Sequence, residues 1–221
     1  MKKTPAKKLQ PIEAPRLPLE TPDFAGKLAS SELIADCCIV GHDWSRSAAK
    51  RAAFERTVWQ RVQAANADWP ELEWMDSRLE ECDFANANWR NGSAHRVEIA
   101  SCRLTGVQAN EAHFENVVFS ECHGALAQFR FATFARVRFE GCILRGADFL
   151  EADLRGVIFK DCDLREAEFS FAKLDGADLR GCEIEGARAR GEDLRGLIVE
   201  PLQAARFADL WGLDVRWHNG S

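Results

Sequence analysis

The chain has 221 residues, of which 46% are hydrophobic and 29% charged, and a formal net charge of −6. These values fit one soluble domain, and the modest net charge disfavours a partner whose binding requires a strongly charged protein. No apolar run approaches the roughly 20 residues of a membrane-spanning helix, and the Lys-rich start lacks the apolar centre of a signal peptide. We therefore expect a cytoplasmic protein that contacts no membrane. Its eight cysteines are expected to be reduced, because disulfide frameworks belong to small secreted domains with poor cores.

The first 31 residues are rich in proline and lysine and contain few large apolar side chains. This composition predicts a mobile, weakly basic tail over residues 1–31. A solvated leader without a role and an arm that binds a partner or touches nucleic acid both fit it, although no aromatic residues are interleaved with the basic ones.

From Ile39 to Val199 a large apolar residue recurs at every fifth position. Of the 33 positions in this series, 27 are Leu, Phe, Ile, Val or Trp. Neither the 3.6-residue period of a helix nor the two-residue period of a strand produces this spacing. We interpret these residues as inward-pointing knobs, one for each five-residue unit.

A second period of 20 residues lies in the smaller side chains. Cysteine recurs at six such positions, which are Cys82, Cys102, Cys122, Cys142, Cys162 and Cys182. Four five-residue sides then complete one coil, and like residues stack above like. With parallel backbones about 4.8 Å apart, residues 32–200 form an all-β solenoid about 40 Å long.

Units such as GADFL, EADLR, DCDLR and GADLR resemble the repeat of the pentapeptide-repeat protein family over roughly residues 35–200. The resemblance implies a right-handed quadrilateral parallel β-helix. The Qnr and MfpA members, similar in size and in a C-terminal helix, bind DNA gyrase, mimic DNA and protect against quinolones. The uninterrupted register here is closer to the loop-free MfpA kind. The resemblance thus implies a protein partner, DNA gyrase, and no direct contact with nucleic acid.

Residues 47–67 are rich in helix formers and place Ala49 and Ala64 at knob positions. A helix is the alternative here, but Phe54 and Trp59 keep the five-residue register. We therefore predict that the coil continues through this stretch.

Residues 32–200 contain 30 acidic and 21 basic residues, a net charge of −9. Over the same length DNA carries about 24 charges, so uniform DNA mimicry is disfavoured. A local acidic patch remains a candidate partner surface, which we call the acidic side; its residues are Glu80, Glu81, Glu121, Glu140 and Asp161. The alternative is an ordinary solvated and self-paired surface.

The register also predicts that Phe131, Leu150 and Phe171 point outward on one side of three successive coils. Monomers seldom expose such a row, so this corner stripe is a second candidate partner surface. Alternatively, the three side chains only cover neighbouring aliphatic stems.

The six stacked cysteines are interpreted as structural packing, because cysteine behaves as a small hydrophobe and the valine and alanine columns play the same part. Tetrahedral zinc needs ligands that converge, and no CxxC pair is present. Phosphate-loop, HExxH and GxSxG motifs are absent and the histidines are scattered. We expect no enzyme activity, no cofactor and no metal.

The register ends before residues 201–221, where Pro201 to Trp211 are predicted to form a helix that ends at Gly212. Because this helix is apolar nearly all round, we predict that it covers the last coil and also packs against a second copy. The candidate dimer interface comprises Leu202, Phe207, Leu210, Trp211, Val215 and Trp217. A monomeric cap is the alternative. The sequence thus predicts a non-enzymatic protein-binding rod, either a regulator of a type II topoisomerase or a scaffold for an unrelated partner.

Overall fold

The computed structural model describes residues 11–18, 22–24, 26, 28–209, 213 and 215–216. Its strands are β1 Leu33–Ala35, β2 Cys38–Val40, β3 Ala53–Glu55, β4 Val58–Gln60, β5 Glu73–Glu80, β6 Ser93–Ala100, β7 His113–Ser120, β8 Thr133–Glu140 and β9 Ile158–Lys160. Helix α1 is Pro201–Asp209. Within these residues, no helix has the length and apolarity needed to cross a bilayer.

All strand pairs are parallel and join residues 20 apart, as Leu33 with Ala53 and Val97 with Val117. The order β1-β3-β5-β6-β7-β8-β9 forms two adjacent sides of the solenoid, and β2 and β4 begin the second of them. We call these side three, which contains Ala53, and side four, which contains Val58. Single backbone bridges at the same spacing form side one through Asp43 and side two through Ala48. One coil is therefore 20 residues, as predicted.

The knobs fill the interior as stacked rings. Phe149 is fully buried and lies parallel to Phe129 and Phe169, with ring centroids 5.2 and 5.3 Å apart. In the first coils indole rings join these knobs, and Trp59 and Trp69 have no exposed surface. Residues 47–67 contain β3 and β4 and no helix. The coil predicted for this stretch is confirmed, as is the inward direction of the fifth-position residues.

Each side ends in a corner, two residues after the knob, where the backbone turns with positive φ. Among the described residues, 24 non-glycine positions and nine glycines have this conformation. The corner N–H of Arg61 donates to the carbonyl of Glu80 at 3.0 Å and that of Glu81 to Ala100 at 3.1 Å, so each corner is tied to the next coil. These hydrogen bonds hold the backbone of non-glycine residues in a left-handed conformation that ordinarily favours glycine.

The N-terminal end of the solenoid is covered by residues that the sequence assigned to the tail. The N–H of Phe24 donates to the carbonyl of Cys38 at 2.7 Å, and the N–H of Cys38 donates to Pro22 at 2.9 Å. The ring of Phe24 packs 5.8 Å from that of Trp44, edge to face. This segment closes an end that would otherwise offer a free strand edge and an open core.

Helix α1 covers the opposite end. Phe207 is 5% exposed and Gln203 is 6% exposed. The Gln203 Nε2 donates to the carbonyls of Leu179 at 2.7 Å and Cys182 at 2.8 Å, so it satisfies two acceptors of the last coils. The Gln203 Oε1 accepts the N–H of Glu200 at 2.8 Å, which fixes the start of the helix. The predicted end at Trp211 and Gly212 lies outside the described residues.

Candidate interaction surfaces

The acidic side lies along side four and its corner, and the structure pairs part of it with arginine. A carboxylate oxygen of Glu80 lies 3.9 Å from the guanidinium of Arg78, and one of Glu81 lies 3.9 Å from that of Arg61. A carboxylate oxygen of Glu140 lies 3.0 Å from the guanidinium of Arg138. All six side chains are at least a third exposed, so each pair contributes no more than about 1 kcal/mol.

Glu121 and Asp161 are the unpaired members of the acidic side. Within the described part of the chain, neither carboxylate has a cationic side chain within 4.0 Å. Both occupy one corner column, with Gly141 between them, so they are two coils, or about 10 Å, apart. This surface offers two free negative charges at a definite spacing instead of a continuous DNA-like array.

Three other carboxylates of the later coils are paired with an arginine of their own unit. In three units an Arg two positions after an Asp binds that Asp through both Nε and Nη2, as in Asp153–Arg155, Asp163–Arg165 and Asp178–Arg180. These hydrogen bonds hold the pKa of each of the three carboxyl groups below its usual value. The charges stay on the protein, but each is matched at short range, which further disfavours uniform DNA mimicry.

The corner stripe is exposed. Phe131 and Phe171 are 47% and 52% exposed, and Leu150 between them is half-buried. Phe131 and Phe171 occupy corners with φ of 59° and 62°. Among the 24 described non-glycine corner residues, they and Leu126 are the three apolar ones. Leu126, 64% exposed, was not predicted, although its corner position in the five-residue register marks it as outward.

Phe171 is held in place on one face. The guanidinium carbon of Arg190 lies 3.6 Å from the ring centroid, a cation–π contact. The Arg190 guanidinium in turn donates two hydrogen bonds to Asp193, which also accepts the backbone N–H of Arg190 at 3.0 Å and that of Phe171 at 2.9 Å. Burial opposes ionisation of Asp193, but these hydrogen bonds outweigh it and lower its pKa. The ring therefore presents one covered face and one face open to a partner.

The cysteine column lies inside the solenoid. Its six thiols are reduced and between 1% and 8% exposed. From Cys122 onward each Sγ donates to the carbonyl of a knob in the preceding coil, as in Cys142 to Phe119 at 3.4 Å. No cluster of His, Cys, Asp and Glu with metal-site geometry occurs among the described residues. The column thus acts as small, weakly hydrogen-bonded packing.

The predicted dimer interface contains both buried and exposed residues. Phe207 packs against the last coil of its own chain and is 5% exposed, so its surface is already buried in the monomer. Leu202 and Val215 are 63% and 41% exposed. Leu210, Trp211 and Trp217 lie outside the described residues.

Comparison with known proteins gives matches of one kind. The family model "Pentapeptide repeat region" matches residues 72–147, 92–169 and 127–189. A trypsin-treated variant of QnrB1, a plasmid-mediated fluoroquinolone resistance protein, is 19% identical, with 81% of this chain and 99% of that chain covered and a TM-score of 0.34.

HetL from the cyanobacterium Nostoc sp. strain PCC 7120, a pentapeptide-repeat protein involved in heterocyst differentiation regulation, is 16% identical. The match covers 77% of this chain and 87% of that chain, with a TM-score of 0.37. A search of curated proteins gives no match. The family model covers repeats of the rod and none of the residues before 72 or after 189.

Proposed function

Because the chain belongs to the pentapeptide-repeat family, we propose that it is a non-enzymatic rod that binds one protein partner through the corner stripe. The observation that carries this proposal is the pair of exposed phenylalanines, Phe131 and Phe171, at left-handed corners. A left-handed conformation costs a non-glycine residue about 1–2 kcal/mol. At half exposure, each ring regains little of this cost by burial within the monomer.

The stripe has the properties of a binding hot spot. Aromatic side chains bring large contact areas with few rotatable bonds, and they dominate interface energies when a partner covers them. Here backbone hydrogen bonds between the coils, from Phe131 to Leu150 and from Glu151 to Ser170, fix the spacing of Phe131 and Phe171, and Arg190 holds one ring against the corner. A partner therefore meets a pre-ordered surface, which reduces the entropy lost on binding.

We propose DNA gyrase, a cytoplasmic type II topoisomerase, as the partner, and regulation or protection of that enzyme as the function. The resemblance to the loop-free gyrase-binding members and the two unpaired carboxylates of the acidic side, Glu121 and Asp161, support this choice. The alternative is a scaffold for an unrelated protein. The pairing of Glu80 with Arg78 and of Glu140 with Arg138 favours that alternative, because it leaves fewer free negative charges to replace DNA phosphates.

The test is a gyrase supercoiling assay, with a quinolone-induced cleavage assay alongside, in which the purified full chain is titrated against the enzyme of its own host. Two full-chain variants separate the surfaces: Phe131→Ser with Phe171→Ser, and Glu121→Gln with Asp161→Asn. We expect inhibition of supercoiling or rescue from cleavage, weakened about tenfold or more by the first variant.

Salt concentration distinguishes the modes of binding. If the carboxylates replace DNA phosphates, the effect weakens steeply between about 50 and 500 mM salt and the Gln/Asn variant is inactive. If the stripe dominates, salt has little effect. No effect of the wild-type chain at large excess excludes gyrase and leaves the scaffold.

We further propose that two copies associate through the C-terminal end, because Leu202 and Val215 remain exposed there and apolar ends of solenoids need cover. Sedimentation velocity of wild type and Leu202→Lys tests this. A concentration-dependent dimer that the lysine variant loses supports the proposal, and a wild-type monomer at about 100 μM refutes it.

A further inference from the structure

Residues 11–18, which we call the strap, lie along the corner between sides three and four. The N–H of Glu13 donates to Asn116 Oδ1 at 3.2 Å, and the N–H of Arg16 donates to Asp76 Oδ1 at 3.0 Å. Asn116 and Asp76 are 2% and 5% exposed. A segment without regular secondary structure is therefore bound through its backbone by two buried polar side chains of the rod.

The spacing of the two contacts matches the period of the rod. Asp76 and Asn116 are 40 residues apart, which is two coils, or about 9.6 Å along the axis. A polyproline-type strand advances about 3.1 Å per residue, so the three residues from Glu13 to Arg16 span about 9.3 Å. Pro11, Pro15 and Pro18 favour this conformation. An extended peptide with an N–H at every third position fits the corner without distortion.

The acceptors are prepared by arginines of the same corner column. Asp76 Oδ1 also accepts Arg96 Nε at 2.6 Å, and Asn116 Oδ1 accepts Arg136 Nε at 2.8 Å. Each oxygen thus receives one hydrogen bond from the rod and one from the strap. Burial opposes ionisation of Asp76, but Arg96, the strap N–H and the nearby charge of Arg16 outweigh it and lower the pKa of Asp76.

The same column contains an internal comparison. Asp36 and Arg56 form the equivalent pair two coils earlier, with the same 2.6 Å contact, and no described strap residue bonds to them. Their side chains are 51% and 37% exposed, whereas those of Asp76 and Arg96 are 7% and 12% exposed. The Asp–Arg ion pair therefore does not bury its own side chains, and Asp76 and Arg96 are buried where the strap lies over them.

The strap does not fill its groove. Beside its first half lies an open cleft of about 310 Å³, lined by Ile12, Pro15, Val97, Glu98, Val118 and Arg138 among others. Glu98 is paired with Arg78 and Arg138 with Glu140, so the polar groups at the floor are already matched. A peptide with a larger apolar side chain at the position of Ile12 or Ala14 gains contacts there that the strap leaves unmade.

We propose that this corner is a peptide-binding groove whose ligand is an extended, proline-containing segment with backbone N–H groups at positions i and i+3. Residues 11–18 are its resident occupant, and a segment of the same chemistry on a partner protein replaces them. The groove is distinct from the corner stripe. Because the strap is covalently attached, its high effective concentration keeps the groove closed to weak ligands.

The test uses full chains and a fluorescein-labelled synthetic peptide with the sequence of residues 9–20. In the variant Glu13→Pro with Arg16→Pro the strap loses both donors, whereas the control Ala14→Pro with Leu17→Pro adds as many prolines at N–H groups that make no described bond. Fluorescence anisotropy should show binding to the first variant at least about tenfold tighter than to the control or wild type. Adding Asn116→Ala to the first variant should abolish this gain.

Three results overturn the proposal. The peptide binds none of the chains, or it binds all of them equally, or the wild type sediments as a dimer that dissociates when Glu13 and Arg16 become proline. The last result identifies a strap exchanged between two copies and not a site for a partner's peptide. Hydrogen exchange of the Glu13 and Arg16 amides, slow in wild type and in the control, checks that the strap is docked. None of these readouts involves gyrase.

Discussion

Replacing Phe149 by alanine tests the stacked core where it is most regular. The ring has no exposed surface and lies between Phe129 and Phe169 at centroid distances of 5.2 and 5.3 Å, with Phe139 and Phe159 edge-on. Removing it leaves a void that the coils cannot close, because the backbone ladder fixes their spacing. Buried Phe→Ala changes cost about 3–5 kcal/mol, and we expect the upper half of this range here.

The assay is equilibrium unfolding in guanidinium chloride followed by circular dichroism. Phe131→Ala is the matched control, since it removes the same atoms from a ring that is 47% exposed, and we expect it to change the free energy of unfolding by less than about 0.5 kcal/mol. A loss below about 1 kcal/mol for Phe149→Ala, or equal losses for both variants, contradicts a rigid core of stacked rings.

Three further changes address the C-terminal cap, the cysteine column and the Asp76–Arg96 ion pair under the strap. Gln203→Leu leaves the carbonyls of Leu179 and Cys182 without a donor and should lower the free energy of chemical unfolding by about 1–3 kcal/mol. Gln203→Glu should lower it by at least as much, because a carboxylate cannot donate to these carbonyls. Cys142→Leu overpacks a position that is 1% exposed and should cost about 1–3 kcal/mol, whereas Cys142→Ala should cost less in the same titration. Asp76 has a lowered pKa, so its contribution is complete above about pH 4 and is lost as the pH falls through the folded-state pKa. The melting temperatures of wild type and Asp76→Asn should therefore converge below the folded-state pKa of Asp76. A difference that does not change with pH contradicts a stabilising, ionised Asp76.

The repeat made the fold predictable from sequence to an unusual depth. A knob every fifth residue and a cysteine every twentieth leave one arrangement in which all these side chains share an interior, and Phe149 and Cys142 lie there as expected. The register also carried through residues 47–67 despite their helix formers, because Phe54 and Trp59 gain more from burial than helix propensity offers.

Contacts between the rod and its non-repeating segments were not predictable in this way. Phe24, the strap and Gln203 have no periodic signal, and each is fixed by the position of carbonyls or side chains far away in sequence. Which carboxylates of the acidic side are paired was likewise not predictable, since whether Glu140 contacts Arg138 or stays unpaired depends on side-chain rotamers on side four. The outward direction of Phe131 and Phe171 followed from the register, but the cation–π cover by Arg190 did not.

The affinity of the immobilised wild-type chain for purified gyrase, beside that of the Phe131→Ser, Phe171→Ser variant, tests the proposed function most directly. We expect saturable binding by wild type, weakened at least about tenfold in the variant while its melting temperature stays unchanged. Equal binding by both proteins, or no binding by the folded wild type, contradicts it.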